Sequence, residues 1–304
     1  DKPRTAIWAG MGMGKTSSTL TALETMYLAG ESRPTLVLAP LRVCNSTWPE
    51  EAHKWAHLTE IDVQPVTGDE KNRLAALKRD VSIYACNYQN IPWLVDHYGA
   101  HWPFGTVVAD ESTRLKSFRL RQGGVRAQAL AKVAHKNVKR FINLTGTPAP
   151  NGLQDLWGQT WFLDAGQRLG RTYSAFTDRW FCRTADGFGR ELRSQSAADE
   201  IYNKLRDICL TIEARDWFDL NEPIVKEIEV EMPRSARRLY DQLKKDLILQ
   251  IEQHTITAAN AAVKTQKLLQ MANGAAYVDP NTEDDHDPRA REYRIVHDAK
   301  LEAL

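Results

Sequence analysis

Gly10-Met11-Gly12-Met13-Gly14-Lys15-Thr16-Ser17 sets three glycines two apart and follows them with Lys-Thr. These residue types in this order can cradle phosphate. Glycines let the backbone turn its N–H groups toward one point that side chains would crowd. A lysine placed like Lys15 reaches the β- and γ-phosphates of a nucleotide, and a hydroxyl placed like Thr16 can ligate Mg²⁺. Gly12, Met13, Gly14, Lys15, Thr16 and Ser17 are therefore the candidate nucleotide-binding residues. A second cluster, Asp110-Glu111, follows an apolar run much further along the chain. A phosphate loop plus an acidic pair is the division of labour that nucleotide hydrolysis needs. Asp110 and Thr16 would hold Mg²⁺, while Glu111 would orient and polarise the attacking water as general base. Lys15, Asp110 and Glu111 are the candidate catalytic residues. Alone, an Asp-Glu pair would read as a helix cap, and Thr145-Gly146-Thr147-Pro148 as an ordinary turn. The Lys-Thr loop gives both their weight.

For these residues to meet, the intervening elements must carry them to one edge. The apolar run Ala6-Ile7-Trp8-Ala9 predicts a strand before the loop, and 18–29 predicts a helix after it. That helix adds its unpaired N–H groups and the positive end of its dipole. Thr35-Leu36-Val37-Leu38-Ala39-Pro40 is a continuous apolar run of strand length, as a buried parallel strand requires. Trp48, Ala52 and Trp55-Ala56 form an apolar helical stripe. Strands over 61–66, 81–86, 106–109 and 140–144 alternate with helices over 70–78, 88–98 and 119–135. Repeated alternation argues for an α/β fold, a parallel sheet with helices on both faces and ligands at the carboxyl ends of its strands. Beyond residue 150 the patterns over 153–212 are mainly helical and aromatic-rich. An alternating strand over 224–232 follows, then a long helix from Pro233 with Leu239, Leu243, Leu247 and Ile251 at i+4 steps. Residues 279–288 read as an acidic loop.

Bulk properties exclude several classes. No apolar run approaches the ~20 residues that a membrane-spanning helix needs. The four cysteines have no C-x-x-C spacing, so a disulfide frame or zinc site is not expected and a reducing cytoplasm is. The eight histidines are scattered and read as structural or surface residues. Net charge is +1, yet residues 112–154 hold nine Lys/Arg and no Asp or Glu. That block reads equally well as a phosphate-tracking face or as a solvated helix surface. The chain opens at Asp1 almost directly in the loop strand, so an upstream segment is expected to have been cut away or not included.

Together the motifs resemble a known family. Ala9 stands where the usual phosphate loop has its first glycine, and Ala9 through Thr16 fits A-x-x-G-x-G-K-T, the form used by superfamily 2 helicases. Leu38-Ala39-Pro40-Leu41-Arg42 with Trp48, Glu51 and Trp55 resembles motif Ia of the SNF2 family, and Gly68 with Arg73 resembles the segment after it. Asp110 through Lys116 resembles motif II, D-E-A-H-R-x-K, with Ser112 and Thr113 replacing Ala and His. Leu144 through Asn151 with Leu156-Trp157 resembles motif III, L-T-G-T-P-x-x-N…L-W. Leu239-Tyr240, the helix end over 267–272 and Lys300 through Leu304 also sit where the family has equivalents. The wording is similar to that of SNF2-related helicases of bacteria and their phages.

The resemblance implies a RecA-like P-loop NTPase fold that uses ATP and Mg²⁺ to translocate on double-stranded DNA. It implies a RecA-like ATP-binding lobe over 1–152, a mainly helical protrusion and linker over 153–290, and the start of a truncated second RecA-like lobe over 291–304. Thr145, Gly146 and Thr147 are the implied coupling residues, and Pro40, Leu41 and Arg42 the implied contacts to DNA backbone phosphates. Such contacts are sequence-blind and salt-sensitive. The family's upstream adenine-reading glutamine segment and second-lobe arginine finger are not among these residues. Loss of such a finger costs about 10³–10⁵ in rate in related systems, so slow hydrolysis and no translocation are expected of the chain by itself. A monomer without a membrane partner, in the cytoplasm of a bacterium or phage-infected host, completes the expectation. The alternatives are an RNA helicase of the same superfamily, a nucleotide-gated binding module and, more distantly, a metabolic P-loop kinase.

Overall fold

The apolar runs become strands whose order in the sheet differs from their order in the chain. The computed structural model describes residues 2–184, 189–213, 226–252, 258–277 and 293–303. In chain order the first elements are β1 (Arg4–Ala9), α1 (Lys15–Leu28), β2 (Thr35–Ala39), α2 (Trp48–Lys54), β3 (Val63–Val66), α3 (Glu70–Leu77) and β4 (Ile83–Asn87). They are followed by α4 (Ile91–Tyr98), β5 (Thr106–Asp110), α5 (Val125–Ala134), β6 (Arg140–Thr145), α6 (Asp155–Asp164) and α7 (Tyr173–Trp180). Then come β7 (Phe181–Arg183), β8 (Arg190–Leu192), α8 (Gln195–Leu205) and β9 (Cys209–Ile212). Seven strands form one sheet in the order β3-β4-β2-β5-β6-β1-β9. Every pairing in it is parallel. Parallel neighbours need long crossovers, which is why a helix or helical turn separates successive strands.

The strand-length apolar runs are explained by cover on both faces. Every residue of β2 and β4 is buried. Alternate residues feed two core layers: Leu36, Leu38, Tyr84, Val107 and Phe141 pack with α4–α6 on one face, and Val37, Ile83, Val108 and Leu144 pack with Leu20, Leu23 and Trp48 on the other. Phe118, Trp157, Phe162 and Phe176 are fully buried in the first layer, so the aromatic stripe of the sequence is core packing.

Three expectations need correction. The mainly helical reading of 153–212 omits three strands. β7 and β8 form a small antiparallel hairpin, and β9 returns to the main sheet beside β1. The helix over 119–135 begins only at Val125, because Gly123 (φ 134°) folds the chain back on itself. A Cβ there would lie 2.5 Å from the Ser117 carbonyl oxygen. Residues 226–232 of the expected strand form no strand, and 224–225 lie outside the described residues, as does the loop over 279–288.

The chain falls into two compact units, 1–220 and 221–304. The second contains α9 (Arg234–Glu252), α10 (Ala258–Ala272), the antiparallel pair β10 (Ala275–Tyr277) and β11 (Tyr293–Ile295), and the short α11 (Ala299–Glu302). Helix α9 packs on α10. Of its expected stripe Leu247 is buried, whereas Leu239 is 57% exposed.

One close approach sets α6 against the turn that follows β5. A Cβ on Gly158 of α6 would lie 2.5 Å from the Lys116 carbonyl oxygen and 2.7 Å from that of Leu115. Only glycine lets α6 press against the turn that follows β5. Gly158→Ala is expected to lower stability by about 1–3 kcal/mol through overpacking. A fall in the urea midpoint with unchanged slope would show it.

Candidate functional site

Strand β1 ends at Ala9, and α1 begins at Lys15. Between them Gly12 (φ 74°) and Gly14 (φ 68°) occupy the left-handed region that glycine adopts at least cost. Gly14 caps α1 with no side-chain hydrogen bond, and the first turn carries no acidic residue. The helix therefore leaves its N–H groups and dipole uncompensated at the loop. The Lys15 ammonium lies inside the loop, donating at 2.7 Å to the carbonyl oxygens of both Ala9 and Gly10. Met11 stands 96% exposed at the tip.

The acidic pair closes β5. The Asp110 carboxylate Oδ2 accepts from the buried Trp48 indole N–H at 2.9 Å. Burial pushes the Asp110 carboxyl above the usual carboxylate range, opposed by the Trp48 hydrogen bond and the Lys15 charge and reinforced by Glu111. Tyr88 donates its hydroxyl to the Asp110 carbonyl oxygen at 2.9 Å. Glu111 is one of two described non-glycine residues with positive φ (60°). That conformation costs about 1 kcal/mol or more, and it turns the side chain away from the strand line.

The acidic pair ends the second strand from the loop strand, because β6 lies between β1 and β5. The Thr145-Gly146-Thr147 turn thus sits between loop and acid. Trp8 pairs with Thr145 and Asp110 with Leu144, so all three strand ends lie at one level. Glu111 Oε1 accepts from Thr113 Oγ1 at 2.6 Å and from Thr145 Oγ1 at 3.4 Å. The Thr147 N–H donates to Thr145 Oγ1 at 3.2 Å. Thr113 therefore meets Thr145 through the Glu111 carboxylate, leaving Oε2 as the oxygen that can face a water. The Thr145-Gly146-Thr147 turn packs closely on the end of β1, where a Cβ on Gly146 would lie 3.3 Å from the Ala9 carbonyl oxygen. Ser112 adds a second tie: its hydroxyl donates to Gln159 Oε1 at 2.8 Å, and Gln159 Nε2 donates to the Pro148 carbonyl at 2.7 Å.

The donor set fits Mg²⁺. Asp110 closes β5 within reach of the Lys15 charge, and Thr16 follows Lys15 at the start of α1. A carboxylate and a hydroxyl from separate elements suit Mg²⁺ when a substrate supplies further oxygens. No cluster of three or more His, Cys, Asp or Glu suited to a metal occurs among the described residues.

Pro40, Leu41 and Arg42 lie at the end of β2, next to β5 in the sheet, and Leu41 and Arg42 are exposed. Arg73 acts within the fold: its guanidinium donates to the Gly68 carbonyl at 2.9 Å and lies 4.3 Å above the Trp93 ring. The basic block is divided in use. Lys116 pairs with Asp155, Lys139 and Arg140 with Glu31, and Arg119 stacks on Tyr173. Arg114, Arg121, Arg126, Lys132 and Lys136 are exposed. From sequence, Trp48 reads as part of an apolar stripe and of the motif Ia resemblance without its polar role, and Tyr88, Gln159 and Asp155 are missed. Aromatic and amide side chains in apolar segments carry no mark of a polar contact, and Asp155 reads as an ordinary first-turn acid of α6.

A parallel sheet with a glycine-turned loop after the strand next to its β9 edge, an acidic pair two strands away and a threonine bridge between them is a RecA-like P-loop NTPase fold. A family model, the SNF2-related domain, matches residues 7–275, and the chain belongs to this family. It is 55% identical to protein p41 of Acyrthosiphon pisum secondary endosymbiont phage 1, over all of this chain and 65% of that protein. Helicase SWR1 of Yarrowia lipolytica is 26% identical over 77% of this chain and 13% of its own length. Among solved structures, the Sulfolobus solfataricus SWI2/SNF2 ATPase core in complex with dsDNA shares the fold with a TM-score of 0.55 and 22% identity. That match covers 89% of this chain and 54% of the other. The chain thus spans under two thirds of each relative. No helix among the described residues is long and apolar enough to cross a membrane.

Proposed function

We propose that the chain is the ATP-binding lobe of an ATP-dependent translocase that moves along duplex DNA when joined to a second RecA-like lobe. The observation that carries this reading is the convergence of three strand ends at one level, with Glu111 held by Thr113 and Thr145 beside the Lys15 loop. Gly12 through Ser17 wrap the phosphates, and Lys15 exchanges its two carbonyl partners for the β- and γ-oxygens. Asp110 and the Thr16 hydroxyl would hold Mg²⁺, which when bound would supply positive charge to offset that of the phosphates. Glu111 Oε2 accepts the proton of the attacking water. The Thr145–Thr147 turn, tied both to Glu111 and to the backbone of Ala9, links the state of the phosphate site to the rest of the lobe. Pro40, Leu41 and Arg42 supply a sequence-blind contact to backbone phosphates. The SNF2 relationship and the dsDNA complex of a structural neighbour support duplex DNA as the track. The chain acts as a monomer in a bacterial or phage-infected cell.

The test is ATPase activity of this chain and of a form extended by a second lobe, each with and without duplex DNA or RNA. The extended form is expected to be stimulated by duplex DNA, with weaker stimulation at higher salt. Equal stimulation by RNA, or none by duplex DNA, would remove the DNA reading.

A further inference from the structure

The Asp110 carboxylate and its carbonyl are gripped from the two faces of the sheet. Tyr88, 1% exposed, belongs to one core layer, and Trp48, 0% exposed, belongs to the other. The indole N–H reaches Oδ2 at 2.9 Å. Trp48 opens α2 directly after a π-helical turn, Val43–Thr47, and its own backbone N–H closes that turn by donating to the Val43 carbonyl oxygen. A π turn carries one residue more than an α turn, so converting it would rotate everything that follows by about 100°. The turn grows out of the Pro40–Arg42 corner. The Cys44 N–H donates to the Pro40 carbonyl at 3.0 Å, and the Ser46 hydroxyl to that of Arg42 at 2.9 Å. Whether the indole points at Asp110 is therefore set by the helical register of a segment that starts at an exposed basic corner.

We propose that Trp48 is a positioning residue that holds Asp110 so that Oδ1 faces Mg²⁺, with the π turn fixing the indole in place. This rests on the reading of Asp110 as the Mg²⁺ carboxylate. A carboxylate at a strand end can rotate about its side-chain torsions, and a charge-assisted hydrogen bond to one oxygen selects one orientation. An indole N–H can only donate, so it never competes with the carboxylate for the cation. Being buried, it also loses heavily if left unpaired, which makes the contact persistent.

The test measures how much Mg²⁺ tightens binding of a non-hydrolysable ATP analogue, by calorimetry, in the chain, Trp48→Phe, Asp110→Asn and the double variant. Trp48→Phe keeps an aromatic ring in the core and removes the N–H. It is expected to reduce the Mg²⁺-dependent gain about tenfold, the scale of one hydrogen bond to a charged group. In the Asp110→Asn background the same change is expected to cost nothing further, whereas a merely structural role would give additive losses. An independent readout needs no Trp48 variant. Asp110→Asn should shift one tryptophan indole ¹H–¹⁵N resonance, and Mg²⁺ with the analogue should move the same resonance in the unaltered chain. If the unaltered chain gains nothing from Mg²⁺, the reading of the site falls and the proposal with it. An unchanged gain in Trp48→Phe, additive losses or an unmoved indole resonance would overturn the Trp48 proposal while leaving the site reading intact.

Discussion

Lys15→Ala is expected to remove ATP binding, weakening it by about 100-fold or more when measured by calorimetry. That magnitude follows from two charge-assisted hydrogen bonds to phosphate, each worth about tenfold. Substitution also changes the empty loop. The Ala9 and Gly10 carbonyl oxygens now share the Lys15 ammonium at 2.7 Å each. Without it they present partial negative charge to an incoming phosphate, so the loss should exceed that of the bonds alone. Unchanged affinity in a folded Lys15→Ala chain would mean that Gly12 through Ser17 is not the phosphate loop. Thermal unfolding separates the two cases. The loop is on the surface, and its removal of one charge should shift the transition little.

Much of the fold was legible because burial on both faces writes itself into composition. β2, β4 and β5 are covered above and below, so the middle of each is apolar, with polar residues only at the strand ends. β9 escaped because it is an edge strand of four residues, Cys209–Ile212, with Leu210 and Thr211 exposed. Nothing in such a short half-wet segment distinguishes it from a helix end. The order of strands was out of reach for a different reason. Local pattern states that a strand exists, whereas its neighbours are chosen by crossovers. β6 therefore enters between β1 and β5 without any mark in the sequence. The chemistry-bearing residues were visible wherever a residue type is costly unless it serves a site, as with glycines at positive φ, a lysine at a helix start and an acidic pair after an apolar strand. Their supports were not. Trp48 and Gln159 lie in apolar surroundings and make polar contacts that only the three-dimensional neighbourhood reveals. The departures in motif II also became interpretable only in the structure. Ser112, which replaces Ala, ties the acidic turn through Gln159 to the Pro148 carbonyl after β6. Thr113, which replaces His, donates within the turn to the Glu111 carboxylate that also accepts from Thr145.

Those bonds shape the second large effect. Glu111→Gln, in a form carrying both lobes, is expected to keep ATP affinity and to lower turnover by about 10²–10⁴. Glutamine retains the length of the side chain and one carbonyl oxygen, which can still accept from Thr113 and Thr145 as Glu111 Oε1 does. The left-handed backbone at residue 111 and the turn after it should therefore survive the change. What disappears is the second oxygen as a proton acceptor, because an amide NH₂ can only donate. Glu111→Ala makes a useful contrast. It removes the acceptor for both threonines, and it should disturb the Thr145–Thr147 turn and so weaken nucleotide affinity as well as turnover. The separation between the two variants is the diagnostic. Loss of turnover at constant affinity in Glu111→Gln assigns the proton transfer to this carboxylate. Ordinary turnover in Glu111→Gln would leave the residue as a structural tie between β5 and β6 and send the search for the base elsewhere along the same strand ends.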